Sequence, residues 1–213
     1  MTNSILTKKI LYWYDNNKRS LPWRKKLSQV KREYYTLVSE FMLQQTQVAT
    51  VVPYFNNFMK DIPNITSLAR ISEQRLLKYW EGLGYYSRVR NLKKTAQILE
   101  KNFKGRLPST IEELKLLPGI GEYTANAIMA IGFNKPFIPL DGNIERVIKR
   151  LLNLKLISEV SKKNLISKKQ ILGTSVRASD YAQALMELGA LICRPKNPLC
   201  GQCPLTKNCK SFK

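Results

Sequence analysis

Histidine is absent from all 213 residues. Its absence excludes Ser-His and Cys-His catalytic pairs, His-ligated zinc enzymes and the histidine form of the zinc deaminases. Acids are scarce too, 15 against 36 lysines and arginines, for a net charge of +21. An imbalance of that size points to a polyanionic partner, above all nucleic acid. No apolar run reaches the roughly 18 residues that suggest a membrane span. The first ten residues carry two lysines but no long apolar stretch with a small-residue cleavage site. Neither a membrane nor a signal peptide is therefore expected, and the expected compartment is the cytoplasm, where structural disulfides are rare. Cysteine is missing until the last 21 residues, which hold all four: Cys193, Cys200, Cys203 and Cys209.

What is present reads as a soluble, globular chain, 44% hydrophobic and 24% charged. Its length suits one domain or two small, packed ones. Apolar residues recur at helical spacing and strand-like alternation is scarce, so the fold class is all-α. An opening helix fades at Asp15-Asn16-Asn17, and Lys25 to Arg32 reads as a polar loop. Helices follow over Tyr34–Leu43 and Val48–Met59, the latter with a break or kink near Pro53. Ser72 is an N-cap signal for a short helix ending at Gly82, and Thr110 opens another that Pro118-Gly119 stops. Further helices are expected over Tyr123–Ile131, Gly142–Leu152 and Tyr181–Ile192. No fixed-period repeat, low-complexity tract or linker is apparent.

Two features bear on chemistry. In Leu117-Pro118-Gly119-Ile120-Gly121-Glu122-Tyr123, two glycines join helical segments. Glycine permits close backbone approach, and the free N–H groups opening the second helix favour an anion, so Gly119 and Gly121 are candidate DNA-phosphate contacts. Taken alone, the stretch is also an ordinary αα-hairpin turn, and a lone Gly-x-Gly is a weak motif. The cysteines have the spacing C-x6-C-x2-C-x5-C. Four thiolates on so short a loop suit a [4Fe–4S] cluster; zinc and non-ligating cysteines are the competing readings.

In combination and order, the motifs resemble those of the helix-hairpin-helix DNA glycosylase superfamily and, within it, the MutY-type adenine DNA glycosylases. They are Leu21-Pro22-Trp23-Arg24, Ser39-Glu40-Phe41-Met42-Leu43-Gln44-Gln45-Thr46, Gly82-Leu83-Gly84-Tyr85-Tyr86-Ser87-Arg88, the hairpin, Leu140-Asp141-Gly142-Asn143, Met186-Glu187-Leu188-Gly189 and the four cysteines. The resemblance implies a six-helix barrel lobe over residues 27–133. It also implies a cluster lobe built from both chain ends, 1–26 and 134–213, with a [4Fe–4S] cluster on Cys193, Cys200, Cys203 and Cys209. The implied partner is double-stranded DNA with a mismatch, bound by a monomer. The implied reaction is hydrolysis of the N-glycosidic bond of adenine opposite 8-oxoguanine or guanine.

Adenine leaves poorly unless a ring nitrogen is protonated. Glu40 lies among Leu37, Val38, Phe41 and Met42, and an apolar setting favours a carboxyl that keeps its proton. Alone it could be a helix-surface glutamate; with the motif it is the candidate general acid. Bond cleavage leaves an oxocarbenium-like sugar that a carboxylate can stabilise or trap, and Asp141 matches that position. Asp141 could equally be a helix N-cap. Asn143 would orient Asp141 or the attacking water. Tyr123 replaces the lysine that endonuclease III-type relatives use as a Schiff-base nucleophile, which implies a monofunctional enzyme. Lys135 lies elsewhere and is no substitute.

Trp23, Arg24 and Glu187 match positions lining the adenine pocket, although Trp23 could be a core tryptophan and Glu187 could sit on an exposed face. Gln45, Thr46, Leu83 and Tyr85 match residues that wedge into the duplex and touch the opposite base. Ser87, Arg88, Arg90 and Lys93 would follow the phosphates. Two departures stand out. The stretch from Arg24 to Glu33 is about four residues longer than the family pattern, and the chain ends four residues after Cys209, where family members usually continue into a Nudix-like domain. Two rival functions remain: a thymine glycosylase for G·T mismatches, and a catalytically idle DNA-binding module.

Overall fold

The computed structural model describes residues 5–154 and 172–212, and among them every regular element is helical. Where apolar spacing is helical, the chain is helical. Helix α1 (Ile5–Asn17) buries Ile10, Leu11, Trp13 and Tyr14 along one face. Helix α2 (Gln29–Leu43) begins inside the stretch read as a loop. Its polar first turn is held by partners distant in sequence. Arg32 Nε donates to the Gly132 carbonyl at 2.9 Å, and buried Glu33 pairs with Arg106 at 3.4 Å. Helix α3 (Val48–Asp61) runs through Pro53 without the expected break. The missing proline amide is offset by a buried stripe of Val51, Phe55, Phe58 and Met59.

The short helices are set by their caps. Helix α4 (Ile65–Arg70) has a reciprocal box between Asn64 and Ser67. In α5 (Glu73–Lys78) the Ser72 hydroxyl accepts from the Arg75 amide, and in α7 (Ile111–Lys115) Thr110 accepts from the Glu113 amide. Such caps satisfy amides that a short helix cannot satisfy internally. Helix α6 (Ser87–Phe103) closes on left-handed Lys104, φ 53°. Helices α8 (Glu122–Ala127), α9 (Gly142–Leu151) and α10 (Ala178–Glu187) follow. Both α8 and α10 run on into a single π turn, Ile128–Gly132 and Leu188–Ile192. Among the described residues no helix is long and apolar enough to cross a membrane.

The chain divides into two units, Ser20–Phe133 and Met1–Arg19 with Asn134–Lys213. The first seam falls at Arg19–Ser20, not at residue 26. The reason is Trp23, in a 3-10 turn over Pro22–Arg24, whose ring meets Phe55 of α3 edge-on at 5.2 Å. The Ser20–Phe133 unit buries Leu37, Phe41, Phe55, Phe58 and Trp80. The unit built from both chain ends has its own core, including Tyr14, Ile148, Tyr181 and Leu185, and Cys193, Cys203 and Cys209 pack against it.

Candidate active site

In the Ser20–Phe133 unit, Glu40 sits on α2 between residues that are themselves fully buried, and is only 6% exposed. The solvated-surface reading therefore fails for Glu40. Beyond the end of α2 the chain turns through Gln45, whose φ is 57°, and Thr46 donates its amide to the Leu43 carbonyl at 3.2 Å. The Leu83–Tyr86 turn before α6 has a second left-handed non-glycine residue, Tyr85, φ 48°. Each such residue costs about 1–2 kcal/mol and persists only where neighbours enforce it. Tyr85 is 60% exposed, whereas Leu83, grouped with it as a wedge, is 5% exposed. Trp23 is buried against Phe55, as its core reading requires. Arg24 ends the same 3-10 turn, half-buried.

The hairpin between α7 and α8 needs only one of its glycines for conformation. Gly119 has φ +81°, and a Cβ there would stand 2.7 Å from the Phe41 ring and 3.0 Å from Asn91. Gly121 is extended, as any residue could be, and a Cβ there would meet nothing within 4 Å. That side of the hairpin backbone is open. Thr95 anchors the turn by donating to the Pro118 carbonyl at 2.9 Å, and Gln44 reaches the Gly119 carbonyl at 3.4 Å. Tyr123 is half-buried in the first turn of α8.

Of the residues expected to follow phosphates, Ser87 is exposed at the start of α6. Arg88 is not a surface cation. It is buried, and its guanidinium is engaged by main-chain carbonyls and the Thr46 hydroxyl of its own unit. Arg90 pairs with Glu73 at 2.9 Å, and Lys93 donates to the Ala69 and Ile71 carbonyls.

In the other unit, Asp141 caps α9. Its Oδ1 accepts from the Ile144 amide at 2.7 Å, and its Oδ2 accepts from Asn143 Nδ2 at 3.1 Å. Burial holds this carboxyl above its ordinary value, against the hydrogen bonds from Ile144 and Asn143 and the charge of Arg146. The N-cap reading and the catalytic reading are thus compatible, because the second oxygen is held by the Asn143 side chain and not by the Ile144 amide. Arg146 donates to Asn143 Oδ1 at 2.7 Å, to the Gly189 carbonyl at 2.8 Å and to the Cys193 carbonyl at 2.7 Å. The π turn after α10 presents Gly189 to this group. A Cβ on Gly189 would lie 2.6 Å from that of Asn143. Glu187, at the end of α10, is fully buried in a two-point pair with Arg19, whose Nε lies 2.9 and 3.1 Å from its two oxygens. The exposed-face reading of Glu187 fails.

The four cysteines are free thiols lining one cavity of about 660 Å³, with Arg146, Lys149 and Arg150 on its wall. Burial pushes the Cys203 thiol up, against a hydrogen bond from the Leu205 amide and with the neighbouring three thiols adding to the rise. Arg150 organises the loop, donating to the carbonyls of Arg194 at 2.7 Å and Pro195 at 2.9 Å and approaching Cys193 Sγ at 3.5 Å. As placed, the side chains of the described residues form no metal-ligating group.

Sequence reasoning missed Arg19, Arg146 and Arg150. The last two had a signal: with Asn143 they fall at i, i+3 and i+7 on α9, one helical face. Arg19 had none, since its partner lies 168 residues away.

The chain is similar to known proteins along its whole length. The chain is 42% identical over 213 residues to the adenine DNA glycosylase of Buchnera aphidicola subsp. Baizongia pistaciae, covering all of this chain and 60% of that protein. It is 42% identical over 212 residues to the Homo sapiens adenine DNA glycosylase, covering 95% of this chain and 38% of that one. It therefore spans only part of the length of these curated relatives. Among solved structures, a thermostable thymine-DNA glycosylase superposes with a TM-score of 0.84 at 25% identity, over 96% of this chain and 94% of its own. Endonuclease III in a non-covalent DNA complex superposes at 0.77 and 20% identity, over 100% and 97%. The family described as HhH-GPD superfamily base excision DNA repair protein matches residues 38–169, a span that takes in Glu40, the hairpin and the Asp141 cap. With more than half of its length matched, the chain belongs to the HhH-GPD superfamily of base excision DNA repair proteins.

Proposed function

We propose that this chain is the catalytic part of a monofunctional glycosylase that hydrolyses adenine from duplex DNA where it is mispaired with 8-oxoguanine or guanine. The observation that carries the reading is the Asp141 carboxylate, half-buried at the head of α9 with one oxygen on the Ile144 amide and the other on Asn143. A fixed carboxylate is what a cationic sugar needs. Glu40, in its apolar setting, supplies the proton to adenine N7. The C1′–N9 bond then breaks with its electron pair passing to the base, and water adds to C1′ and gives up a proton. Asp141 stabilises the sugar cation while Asn143 orients the carboxylate. Tyr123 offers no amine, so no Schiff base forms and the strand is not cleaved.

The adenine is turned out of the stack before reaction, and by the family motif Trp23 and Arg24 in one unit and Glu187 in the other are the residues that recognise it. Gln45, Thr46 and Tyr85 meet the duplex at the vacated position, and Gly119 and Gly121 hold a phosphate on open hairpin backbone. Cys193, Cys200, Cys203 and Cys209 fit a [4Fe–4S] cluster by donor chemistry: four unpaired thiols on one cavity, with Arg150 beside them to balance thiolate charge. Such a cluster would hold the basic loop of Arg194, Lys196, Lys207 and Lys210 in a folded array. The protein works as a monomer in the cytoplasm.

A second reading, thymine release from G·T mismatches, is favoured by the superposition on a thymine-DNA glycosylase. The relatives at 42% identity weigh toward adenine. Single-turnover assays on duplexes carrying A·8-oxoguanine, A·G and T·G, with and without alkali, test both. Alkali-dependent cleavage at adenine is expected. Cleavage at thymine alone supports the second reading, and release of neither base with intact binding would leave an idle DNA-binding module.

A further inference from the structure

Arg88 is 6% exposed, yet it carries a full charge into the Ser20–Phe133 unit. Its Nη1 donates to the carbonyls of Phe41 at 3.2 Å, Met42 at 2.8 Å and Gln44, and to the Thr46 hydroxyl at 3.1 Å. Its Nη2 donates to the carbonyls of Leu83 at 3.1 Å and Gly84 at 3.2 Å. Phe41 and Met42 lie in the last turn of α2, where carbonyls lack helical donors and the dipole is negative, so the cation also caps that helix. These bonds are made by the two terminal nitrogens of the guanidinium, one to each side of the fork.

They join two segments about forty residues apart in the chain, Gln44–Thr46 and Leu83–Tyr85. Each holds a left-handed non-glycine residue, Gln45 and Tyr85, and each therefore needs an external constraint. The guanidinium carbon also lies 5.5 Å from the centre of the exposed Tyr85 ring and 5.4 Å from that of buried Trp80. A planar fork can hold two backbones at a fixed spacing, which a single ammonium cannot.

We propose that Arg88 is a positioning residue: it fixes the spacing of the two loops that meet the duplex, and through them it sets discrimination of the base opposite the excised one. This rests on the adenine reading of the site. It replaces the phosphate role that the sequence suggested for Arg88.

The test uses Arg88→Lys, which keeps the charge but can span only one segment, in the full 213-residue protein. Single-turnover rates are compared for adenine opposite 8-oxoguanine and opposite guanine, beside thermal unfolding. The ratio of the two rates should fall about tenfold, the scale of a lost charge-assisted hydrogen bond, while affinity for undamaged duplex holds. An equal loss on both duplexes, or an unchanged ratio, overturns the proposal. A second readout needs no chemistry: 2-aminopurine placed opposite a stable abasic analogue brightens when the loops unstack it. If the wild type releases no adenine, the adenine reading has failed, and this signal alone decides Arg88. A weaker signal for Arg88→Lys supports the positioning role, and an unchanged one overturns it. Should Arg88→Lys not fold, Thr46→Val removes one acceptor and should shift both readouts the same way by about twofold; no shift overturns the proposal.

Discussion

Arg146 holds Asn143 by its side-chain oxygen at 2.7 Å, so the amide of Asn143 can only turn its nitrogen toward Asp141, which it meets at 3.1 Å. Arginine has donors and no acceptor, which fixes the orientation of the amide without ambiguity. The carboxylate is thus aimed by a residue one helical turn further along α9. The same guanidinium grips the carbonyls of Gly189 and Cys193, so the aim of Asp141 depends on the π turn after α10 and on the start of the cysteine loop.

Replacing Arg146 by methionine should therefore act on catalysis more than on binding. With the oxygen released, the amide can flip and set an acceptor against the carboxylate. Base release in single turnover should fall about ten- to a hundredfold, the loss expected when a positioned group is loosened. Duplex affinity measured by anisotropy should change little. A variant with wild-type rates would show that Asn143 holds Asp141 unaided.

Gly189→Ala tests the same contact from the opposite side. The added methyl would stand 2.6 Å from the Asn143 Cβ and 3.0 Å from its backbone, which cannot yield like a flexible side chain. Overpacking of this kind costs about 1–3 kcal/mol, to be read from urea denaturation. The rate should fall with it, because Asn143 is the atom group displaced. An unchanged midpoint would mean that the π turn shifts freely.

Asp141→Asn should abolish base release yet not destabilise the protein at neutral pH. Asparagine can still cap α9 through its oxygen. Burial raises the Asp141 carboxyl in the folded state above its unfolded value. Folding thus favours the neutral form, and its contribution is fully present below the unfolded value and lost as pH rises through the folded one. The variant, neutral throughout, escapes that loss. Its melting temperature should exceed the wild type's at pH 7, with the gap closing below about pH 4. A lower melting temperature at pH 7 would contradict the assigned burial cost.

These residues also mark what the sequence could and could not disclose. The capping residues Ser72, Thr110 and Asp141 act within three positions of themselves, and their roles were readable from local pattern alone. Glu40 was readable because Leu37, Val38, Phe41 and Met42 around it on α2 are apolar. Arg88 was not, since its acceptors on α2 lie 46 and 47 residues away, and a basic residue opening a helix looks solvated until the fold brings carbonyls to it. The pair of Arg19 and Glu187 was hidden for the same reason. The start of α2 at Gln29 escaped because its first turn is held by Gly132 and Arg106, not by apolar periodicity. Leu83 matched a wedge by motif and yet is buried, while Tyr85 two residues on is exposed; Gly84 between them is left-handed, φ 68°, as glycine allows, but Tyr85 is left-handed too, φ 48°, and no propensity announces that.

Tyr123 predicts a clean chemical distinction. Borohydride added during reaction on an adenine substrate should trap no protein–DNA adduct, and strand breaks should appear only after alkali. Tyr123→Lys places an amine in the first turn of α8, and should gain a minor trapped species if the abasic carbon comes within reach. Trapping by the wild type at a yield like that of a lyase would require a different amine, and the monofunctional reading would fall.

The last prediction concerns the cysteine loop. Purified anaerobically, the protein should carry about four irons per chain, held by four thiolates, and negligible zinc. Cys200→Ser should lower that content. Cys200 lines the same cavity as Arg146 and Arg150, and those arginines bond the carbonyls of Cys193, Arg194 and Pro195. A loop released from its ligands should loosen both. The variant should lose duplex affinity, because the loop's lysines and arginine no longer stand in a fixed array, and the loss should shrink as salt rises, since phosphate contacts act by counterion release. It should also lose rate at saturating protein, because Arg146 no longer aims Asn143. The two losses separate cleanly: Arg146→Met reproduces the second without the first. One zinc with negligible iron in the wild type would replace the cluster with a zinc site, and a Cys200→Ser protein of full iron content would remove Cys200 from the ligand set.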